Sequence, residues 1–294
     1  MMTPAEKIRR LRPHDLATMQ QWAATEGWNP GHADGTIFST TDPEGFWGLF
    51  DKKGLVATLS LVTYSADFAF IGFYICRPDR RGQGLGLRLW NSVLEDAVAQ
   101  TIGLDGVVDQ QENYAKSGFV LAHRNIRMAG ILPTPSDVTP SDVTPPDDLY
   151  ELQIGDIAVV DAYEQSLHLF GESRLSFLKG WIGSEKHTAL ALYGPMGLRG
   201  YGVIRPCLDG HKIGPLFAEN EADAHCLFQA LLARRENSQD RPVYLDIPEP
   251  NTAAAGLAAH YGMTAVFETA RMYRGPDPKL DLDRIFGITS FELG

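Results

Sequence analysis

A glycine- and arginine-rich window between residues 77 and 86 is the part of the sequence best suited to bind phosphate. It reads Arg-Pro-Asp-Arg-Arg-Gly-Gln-Gly-Leu-Gly, and Arg88 follows closely. Glycines let a backbone turn tightly and let its amides approach a ligand. A helix that begins here would direct unpaired N–H groups at an anion. Because the whole chain has a formal charge of −11, this local excess of positive charge predicts an anion site.

Two common phosphate-binding patterns do not fit this window. A Walker loop requires Gly-Lys followed by Ser or Thr, and the chain contains no such run. A dinucleotide fingerprint requires G-x-G-x-x-G, but its last position is Leu87 when counted from Gly82 and Leu89 when counted from Gly84. The alternative that carries no function is a tight turn between a strand and a helix, with its arginines in solvent.

Composition narrows the class of protein. The acidic balance argues against nucleic-acid binding, which needs a basic face. The first residues, Met1 to Leu11, show no signal peptide, and the longest apolar run, Phe68 to Cys76, is far shorter than the roughly 20 residues of a membrane helix. The three cysteines and eight histidines lack metal-site spacing. We therefore expect a cytoplasmic protein without a metal, a membrane partner or a nucleic-acid partner, of unknown oligomeric state.

The chain divides into two halves around a segment of Pro, Ser, Thr and Asp. Residues 134–148 read TPSDVTPSDVTPPDD, a composition that cannot pack a core and predicts a linker. The predicted units are 1–133 and 149–294. Each unit contains the same three landmarks in order: Leu104-Asp105, Gly118-Phe119 and Arg127-Met128 in the first, and Leu245-Asp246, Gly262-Met263 and Arg271-Met272 in the second. This order predicts a tandem repeat.

The elements predicted for the first unit alternate between strands and helices, which indicates an α/β layered fold. The apolar stripe from Leu85 to about Ala99 predicts an amphipathic helix after the glycine-rich loop. A short helix should carry Tyr114. The other predicted elements are a helix at Leu16–Thr25 and strands at Phe46–Phe50, Leu55–Tyr64, Phe68–Cys76, Gly103–Val108 and Val120–Met128.

Two motifs together resemble the GCN5-related N-acetyltransferase (GNAT) superfamily. Arg81-x-x-Gly84-x-Gly86 resembles its pyrophosphate loop, and Tyr114-Ala-Lys-Ser-Gly118-Phe119 is similar to its Tyr-x-x-x-Gly-Phe segment. The segments 27–31, 102–106 and 286–294 resemble a tandem branch of that superfamily. The resemblance implies two tandem GNAT-like domains, each a mixed, mostly antiparallel sheet flanked by helices. It further implies that acetyl-CoA is the co-substrate and that the acetyl group moves to a primary amine of a small molecule.

The same resemblance assigns roles to particular residues. Tyr114 would be the general acid that protonates the leaving sulfur. Trp28, Asn29 and Asp34 would bind the acceptor. Many members of the superfamily have a glutamate in the strand that contacts the acetyl group, but Phe68–Cys76 contains no acid. The base therefore stays open among Asp67, which we take as the candidate, Asp34, Asp105 and Glu112. Deprotonation through water, or an amine that arrives neutral, would need no dedicated base. The residues expected to bind acetyl-CoA are Tyr74, Ile75, Cys76, Arg80, Arg81, Gly82, Gln83, Gly84, Leu85, Gly86 and Leu87.

The second unit is predicted to have lost this chemistry. Its counterpart of the loop, residues 213–223, carries Glu219, Glu221 and Asp223, which would repel a pyrophosphate. Ala258 stands where the first unit has Tyr114. Two other functions remain open at the level of sequence. One is a non-catalytic acyl-CoA sensor, which would not need the tyrosine, and the other is an acetyltransferase that acts on protein N-termini or lysines.

Overall fold

The computed structural model describes residues 6–132, 148–168, 173–235 and 240–294. The predicted linker at 134–148 lies, except for Asp148, outside these residues. The α-helices in these ranges are α1 (Pro13–Thr25), α2 (Asp34–Thr41), α3 (Leu85–Glu95), α4 (Gln111–Lys116), α5 (Ile157–Ser166), α6 (Leu175–Ile182), α7 (Glu221–Leu232) and α8 (Thr252–His260). The strands are β1 (Lys7–Arg10), β2 (Phe46–Asp51), β3 (Gly54–Thr63), β4 (Phe68–Cys76), β5 (Thr101–Val107), β6 (Val120–Gly130), β7 (Leu149–Glu151), β8 (Thr188–Gly194), β9 (Gly197–Pro206), β10 (His211–Ala218), β11 (Val243–Pro248), β12 (Thr264–Arg274) and β13 (Ile285–Gly287).

The mixed arrangement of helices around a sheet confirms the predicted α/β class. The predicted strands of the first half are present, with ends that differ by a few residues at most. The helix predicted from Leu85 to about Ala99 is shorter and ends at Glu95. Its apolar stripe does bury Leu89 and Trp90, but Val98 beyond the helix is 82% exposed. Apolar residues after the last turn therefore misled the prediction of its end.

All the strands in the described ranges belong to one continuous sheet rather than to two separate ones. Its order is β1-β2-β3-β4-β5-β12-β6-β11-β10-β9-β8-β7, and β13 pairs with β10 off this path. Among the described strands only two pairs, β4–β5 and β10–β11, are parallel. The sheet is therefore mixed and mostly antiparallel, and it runs through both halves of the chain.

The two halves exchange their last long strands at the centre of this sheet. Strand β12 of the second half pairs with β5 of the first half. Strand β6 of the first half pairs with β11 of the second half, and β6 and β12 also pair with each other. Each half of the sheet is thus completed by a strand of the other half. The bounds 1–133 and 149–294 remain a prediction about the sequence repeat, but the halves do not form independent sheets.

Two buried ion pairs fasten the exchanged strands. Arg271 on β12 places Nε and Nη2 at 2.9 and 2.6 Å from the two carboxylate oxygens of Asp105 on β5. Arg127 on β6 binds Asp246 on β11 in the same way, at 2.7 and 2.8 Å. Such bidentate pairs fix geometry as well as charge. The aspartates of the repeated Leu-Asp landmarks and the arginines of the Arg-Met landmarks therefore form two ion pairs, and each pair joins one half of the chain to the other.

A third contact between the halves holds helix α2. Phe38 on α2 stacks on Trp181 on α6, with ring centroids 5.8 Å apart. Arg205 on β9 lies 4.5 Å over the same indole ring, and its Nε is 3.0 Å from Oδ1 of Asp34. Helix α2 is thereby packed against the second half of the chain.

Candidate active site

Strands β4 and β5 separate partway along their length and open a gap in the sheet. Their parallel pairing runs only as far as Ile71 and Leu104. On the other side of β4 the register with β3 shifts between Gly72 and Ile75, which is a β-bulge. Phe73 within the bulge has a φ of 46°, and Thr58 Oγ1 donates to its carbonyl oxygen at 2.8 Å. The bulge turns β4 away from β5, so its edge beyond Ile71 has no partner strand.

This gap forms a cavity of about 660 Å³. All of the predicted acetyl-CoA residues line it except Gln83, whose side chain instead bonds within the loop to Arg80 and to the carbonyl of Asp79. Tyr114 and Trp28 also line it. The structure therefore brings the loop, the bulged strand and the tyrosine around one space.

The glycine-rich loop closes one end of the cavity at the start of α3. Gly82 and Gly84 have φ values of 72° and 75°, a backbone conformation that favours glycine. Helix α3 begins directly after Gly84, without a side-chain cap and without an acid in its first turn. No atom lies within 4 Å of where a Cβ on either glycine would be. This helix start therefore has both the dipole and the open space that a phosphate group needs.

The arginines of the loop are less free than their sequence pattern predicts. Arg80 forms an ion pair with Asp51, Arg88 with Glu6, and Arg81 with Glu26, which lines the cavity. The local excess of positive charge is thus balanced by acids from distant parts of the chain. Arg81 and Arg88 nevertheless stay about half exposed, so a phosphate group can compete for them.

Tyr114 lies on α4 at the side of the cavity. Its ring centroid is 5.4 Å from that of Trp90, and a Cβ added to Gly106 would stand 2.2 Å from the tyrosine ring. Burial raises the pKa of Tyr114 well above its ordinary value, and that of Tyr74 nearby to about 12. Both hydroxyls are therefore protonated at neutral pH. None of the hydrogen bonds identified among the described residues uses the hydroxyl of Tyr114.

The four acids considered as bases differ in their position relative to the cavity. Asp67 is exposed at the first end of β4, outside the cavity lining, and Glu112 is exposed on α4. Asp105 lines the cavity, but its carboxylate is held by Arg271. Asp34 is buried outside the lining. Burial alone would raise the pKa of Asp34, yet Arg205 and Lys212 hold it below its ordinary value.

Of the three predicted acceptor residues, one lines the cavity and two lie outside it. Trp28 lines the cavity. Asn29 turns away from it and joins the second half of the chain, donating to Cys207 Sγ at 3.2 Å and to the carbonyl of Asp209 at 2.9 Å. Asp34 caps this turn by accepting a hydrogen bond from Gly31 N at 2.9 Å. The structure thus gives Asn29 and Asp34 structural contacts between the halves.

Sequence reasoning missed the residues of the C-terminal tail. Phe291 and Glu292 line the cavity beside Gly72 and Phe73, together with Phe267 on β12. The signal available was a single acid in the segment 285–294, which is otherwise apolar or uncharged. A lone acid in such a segment does not show which cavity it reaches, so the pattern alone could not have located it.

The corresponding helix start in the second half is already occupied by its own side chains. Asn220 caps α7 by accepting from Asp223 N at 3.0 Å, and Glu221 and Asp223 lie in the first turn. Ala258, at the position that corresponds to Tyr114, is buried. No group of His, Cys, Asp and Glu able to hold a metal ion occurs in the described ranges. None of the helices described there is long and apolar enough to cross a membrane.

Comparisons with known proteins agree with this arrangement. Residues 13–119 match the Acetyltransferase (GNAT) family and residues 164–287 match the Acetyltransferase (GNAT) domain. The chain is 32% identical over 276 residues to holothin acyltransferase of Pseudoalteromonas sp. (strain SANK 73390), covering 94% of this chain and 90% of that protein.

Solved structures share the fold over the whole chain. One is an acetyltransferase from Pyrococcus horikoshii, with a TM-score of 0.80 and 20% identity, covering 100% of this chain and 98% of that one. Another is a tandem GNAT protein from the clavulanic acid biosynthesis pathway, with a TM-score of 0.62 and 16% identity, covering 93% and 100%. The two family matches and the relative at 32% identity define an acyltransferase with two related units in one chain. The chain belongs to the GNAT family, in its tandem form.

Proposed function

We propose that this acyltransferase moves the acetyl group of acetyl-CoA to a primary amine of a small molecule, within the cavity between β4 and β5. The observation that carries the proposal is that one cavity contains the loop at the start of α3, the unpaired edge of β4 and Tyr114. Since acetyl-CoA is an intracellular metabolite, we also propose that the enzyme acts in the cytoplasm.

The pyrophosphate of acetyl-CoA would bind at the loop. The open positions beside Gly82 and Gly84 leave room for it, and the uncapped start of α3 offers its dipole. Arg81 would exchange Glu26 for a phosphate oxygen, a charge-assisted bond stronger than a neutral one. Because Glu26 lies at the cavity wall, this exchange also opens the site to the rest of the ligand.

The pantetheine arm would extend along β4. Beyond Ile71 that strand has no partner on its β5 side, so an extended ligand can bond to its backbone as an added strand does. Backbone N–H groups near Tyr74 would then polarise the acetyl carbonyl, as donors in an oxyanion hole do. Cys76 lies beside this path, but its pKa is raised by burial, which does not favour an attacking thiolate.

Tyr114 would assist departure of the thiolate. The amine nitrogen attacks the carbonyl carbon, the N–C bond forms and the C–S bond breaks. The phenol donates its hydrogen to the departing sulfur, and the nitrogen loses one proton to a base. A phenol whose pKa lies above its ordinary value is fully protonated at neutral pH, so this donor is always present.

The acceptor would enter at the end of the cavity that Trp28, Phe267 and Phe291 line. Aromatic faces suit the apolar body of an amine and its cationic form before it loses a proton. The relative named holothin acyltransferase makes holothin a rational first acceptor to test. Asn29 and Asp34, which lie outside the lining, are not part of this proposal.

The second unit would bind no cofactor of its own. Its helix start is capped by Asn220 and carries Glu221 and Asp223, whose charges repel phosphate. Pro215 on β10 has no N–H to donate. We therefore expect one acetyl-CoA per chain.

A calorimetric titration combined with a thiol-release assay tests the proposal. The full chain should bind one acetyl-CoA and release thiol when an amine from a panel that includes holothin is present. Binding without thiol release for every amine would favour a sensor instead. An absence of binding, or saturation at two molecules per chain, would contradict the proposed cavity or its restriction to the first unit.

A further inference from the structure

The C-terminal tail, residues 288–294, packs against β4 at the bulge. Phe291 and Glu292 line the same cavity as Tyr114, and Glu292 is only 5% exposed. The backbone carbonyl oxygen of Glu292 lies 2.3 Å from where a Cβ on Gly72 would stand. Only a glycine at position 72 therefore allows the tail to approach the strand so closely. The second half of the chain thus delivers an acid to the cavity of the first.

The two buried arginines that act electrostatically on Glu292 each form an ion pair with an aspartate. Arg127 is taken by Asp246 and Arg205 by Asp34. Buried ions normally pair with a group of opposite charge, and each of these arginines already does so. Neither arginine forms an ion pair with Glu292.

One cation in this region lacks such a partner. Lys212 on β10 is buried and donates through Nζ to the carbonyl oxygen of Trp28 at 3.0 Å. Within the described part of the chain, no carboxylate lies within 4.0 Å of Lys212 Nζ, and the carboxylate of Glu292 has no ion pair or identified hydrogen bond. Lys212 is nevertheless the cation that acts most strongly on Glu292. Among the described residues, Lys212 and Glu292 are therefore the two charged groups of this cluster without an ion pair.

Their environment makes Glu292 more basic than a surface glutamate. Burial raises its pKa above the ordinary value, with a further increase from Asp34, while Lys212, Arg127 and Arg205 act against the shift. Burial also lowers the pKa of Lys212 to about 8, to which Arg127 contributes. A carboxylate with a raised pKa takes up a proton more readily than an ordinary one.

We propose that Glu292 is the general base of the acetyl transfer and that it recognises a primary amine in the part of the cavity that Trp28, Phe267 and Phe291 line. This inference depends on the proposed function. As the nitrogen bonds to the acetyl carbon, one of its protons passes to the carboxylate of Glu292, while the C–S bond breaks and Tyr114 donates to the sulfur. Proton exchange with water then restores both residues. Lys212 acts as a positioning residue that favours the ionised form of Glu292.

The variant Glu292→Gln keeps the size of the side chain and removes the base. We expect turnover at neutral pH to fall by about 10²–10⁴-fold, with the affinity for acetyl-CoA unchanged in calorimetry. The control Glu185→Gln removes an exposed glutamate and should keep full turnover.

The pH profile separates a base from a structural residue. An electron-poor arylamine acceptor is used, because it stays neutral over the acidic range in which a carboxyl group titrates. Wild-type turnover should fall as the pH drops through the raised pKa of Glu292, since the protonated acid cannot accept a proton. The Glu292→Gln profile should lack this fall.

Chemical rescue provides a second readout. In Glu292→Ala the lost carboxylate leaves space, and added formate should restore part of the turnover of this variant but not of Glu292→Gln. Wild-type turnover and an unchanged acidic fall in Glu292→Gln would overturn the role of Glu292 and leave the proposed function intact. A loss in both variants without formate rescue, and with an unchanged acidic fall, would also overturn it. A wild-type chain that releases no thiol with any amine would overturn both proposals.

Discussion

The guanidinium group of Arg271 forms two hydrogen bonds with the carboxylate of Asp105. This ion pair joins the second half of the chain to a wall of the cavity in the first half. Asp105 lies on β5, which bounds the gap, whereas Arg271 lies on the exchanged strand β12. Residues of both halves of the chain therefore form the cavity. Its wall depends on a residue that lies 166 positions later in the chain.

Breaking this ion pair should destabilise the whole chain. Arg271→Leu leaves the buried carboxylate of Asp105 without its ion-pair partner, although the amide of Asn125 still donates to it at 2.7 Å. Loss of one partner of a buried ion pair costs about 3–5 kcal/mol. The free energy of unfolding in urea would measure it, with Arg274→Gln as an exposed control on the same strand. The double variant Arg271→Leu with Asp105→Leu should be more stable than the single one, because no charge is left unpaired. Equal stability of Arg271→Leu and the wild type would contradict the role of this ion pair.

Two substitutions of Gly84 should distinguish the effect of charge on acetyl-CoA affinity from the effect of backbone conformation. Asn and Asp tolerate the positive φ of this position about equally well. Gly84→Asp should therefore lose much more acetyl-CoA affinity than Gly84→Asn, because only the former places a negative charge at the start of α3. Calorimetry on both folded variants makes the comparison. Equal losses would mean that the phosphate does not bind at this helix start.

Removal of the phenolic hydroxyl should slow transfer without weakening binding. Tyr114→Phe should lower turnover by about 10²–10⁴-fold and leave the affinity for acetyl-CoA nearly unchanged. Because burial raises the pKa of Tyr114, its proton is lost only above the ordinary tyrosine range, so the wild type should show no fall in turnover from this group below that range. Tyr150→Phe, at an exposed position, is the matched control. Full turnover of Tyr114→Phe at every pH would rule out a proton-donating role.

A methyl group at position 72 should displace the tail. The Cβ of Gly72→Ala would stand 2.3 Å from the carbonyl oxygen of Glu292, far below van der Waals contact. We expect lower turnover with a smaller change in acetyl-CoA affinity, because the phosphate end of the cavity lies at another element. Gly256→Ala, whose Cβ would meet no atom within 4 Å, is the control. Turnover of Gly72→Ala equal to that of the wild type would show that the position of the tail does not matter.

Local patterns in the sequence predicted the parts of the site that lie close together in the chain. The glycines at 82 and 84 indicated a sharp turn before a helix, and the structure has both the positive φ values and the helix start there. Tyr114 was expected on a short helix and is found on α4. Each of these features is decided by residues within a few positions of one another.

Features that depend on distant residues could not be predicted in the same way. The Arg-Met landmarks of β6 and β12 are alike, so the sequence does not show which of the two aspartates each arginine binds. Asp34 has its partner Arg205 171 positions away, and this pairing turns a predicted site residue into a contact between the halves. Glu292 reaches the cavity only because Gly72 admits the tail.

The most direct test of the account is to measure thiol and acetylated amine in the same reaction. The full chain is incubated with acetyl-CoA and an acceptor amine, and both products are quantified over time. Direct transfer predicts one mole of amide for each mole of thiol released in the wild type, and a parallel loss of both products in Tyr114→Phe. Thiol release without amide, or amide formation that Tyr114→Phe leaves unchanged, would contradict the account.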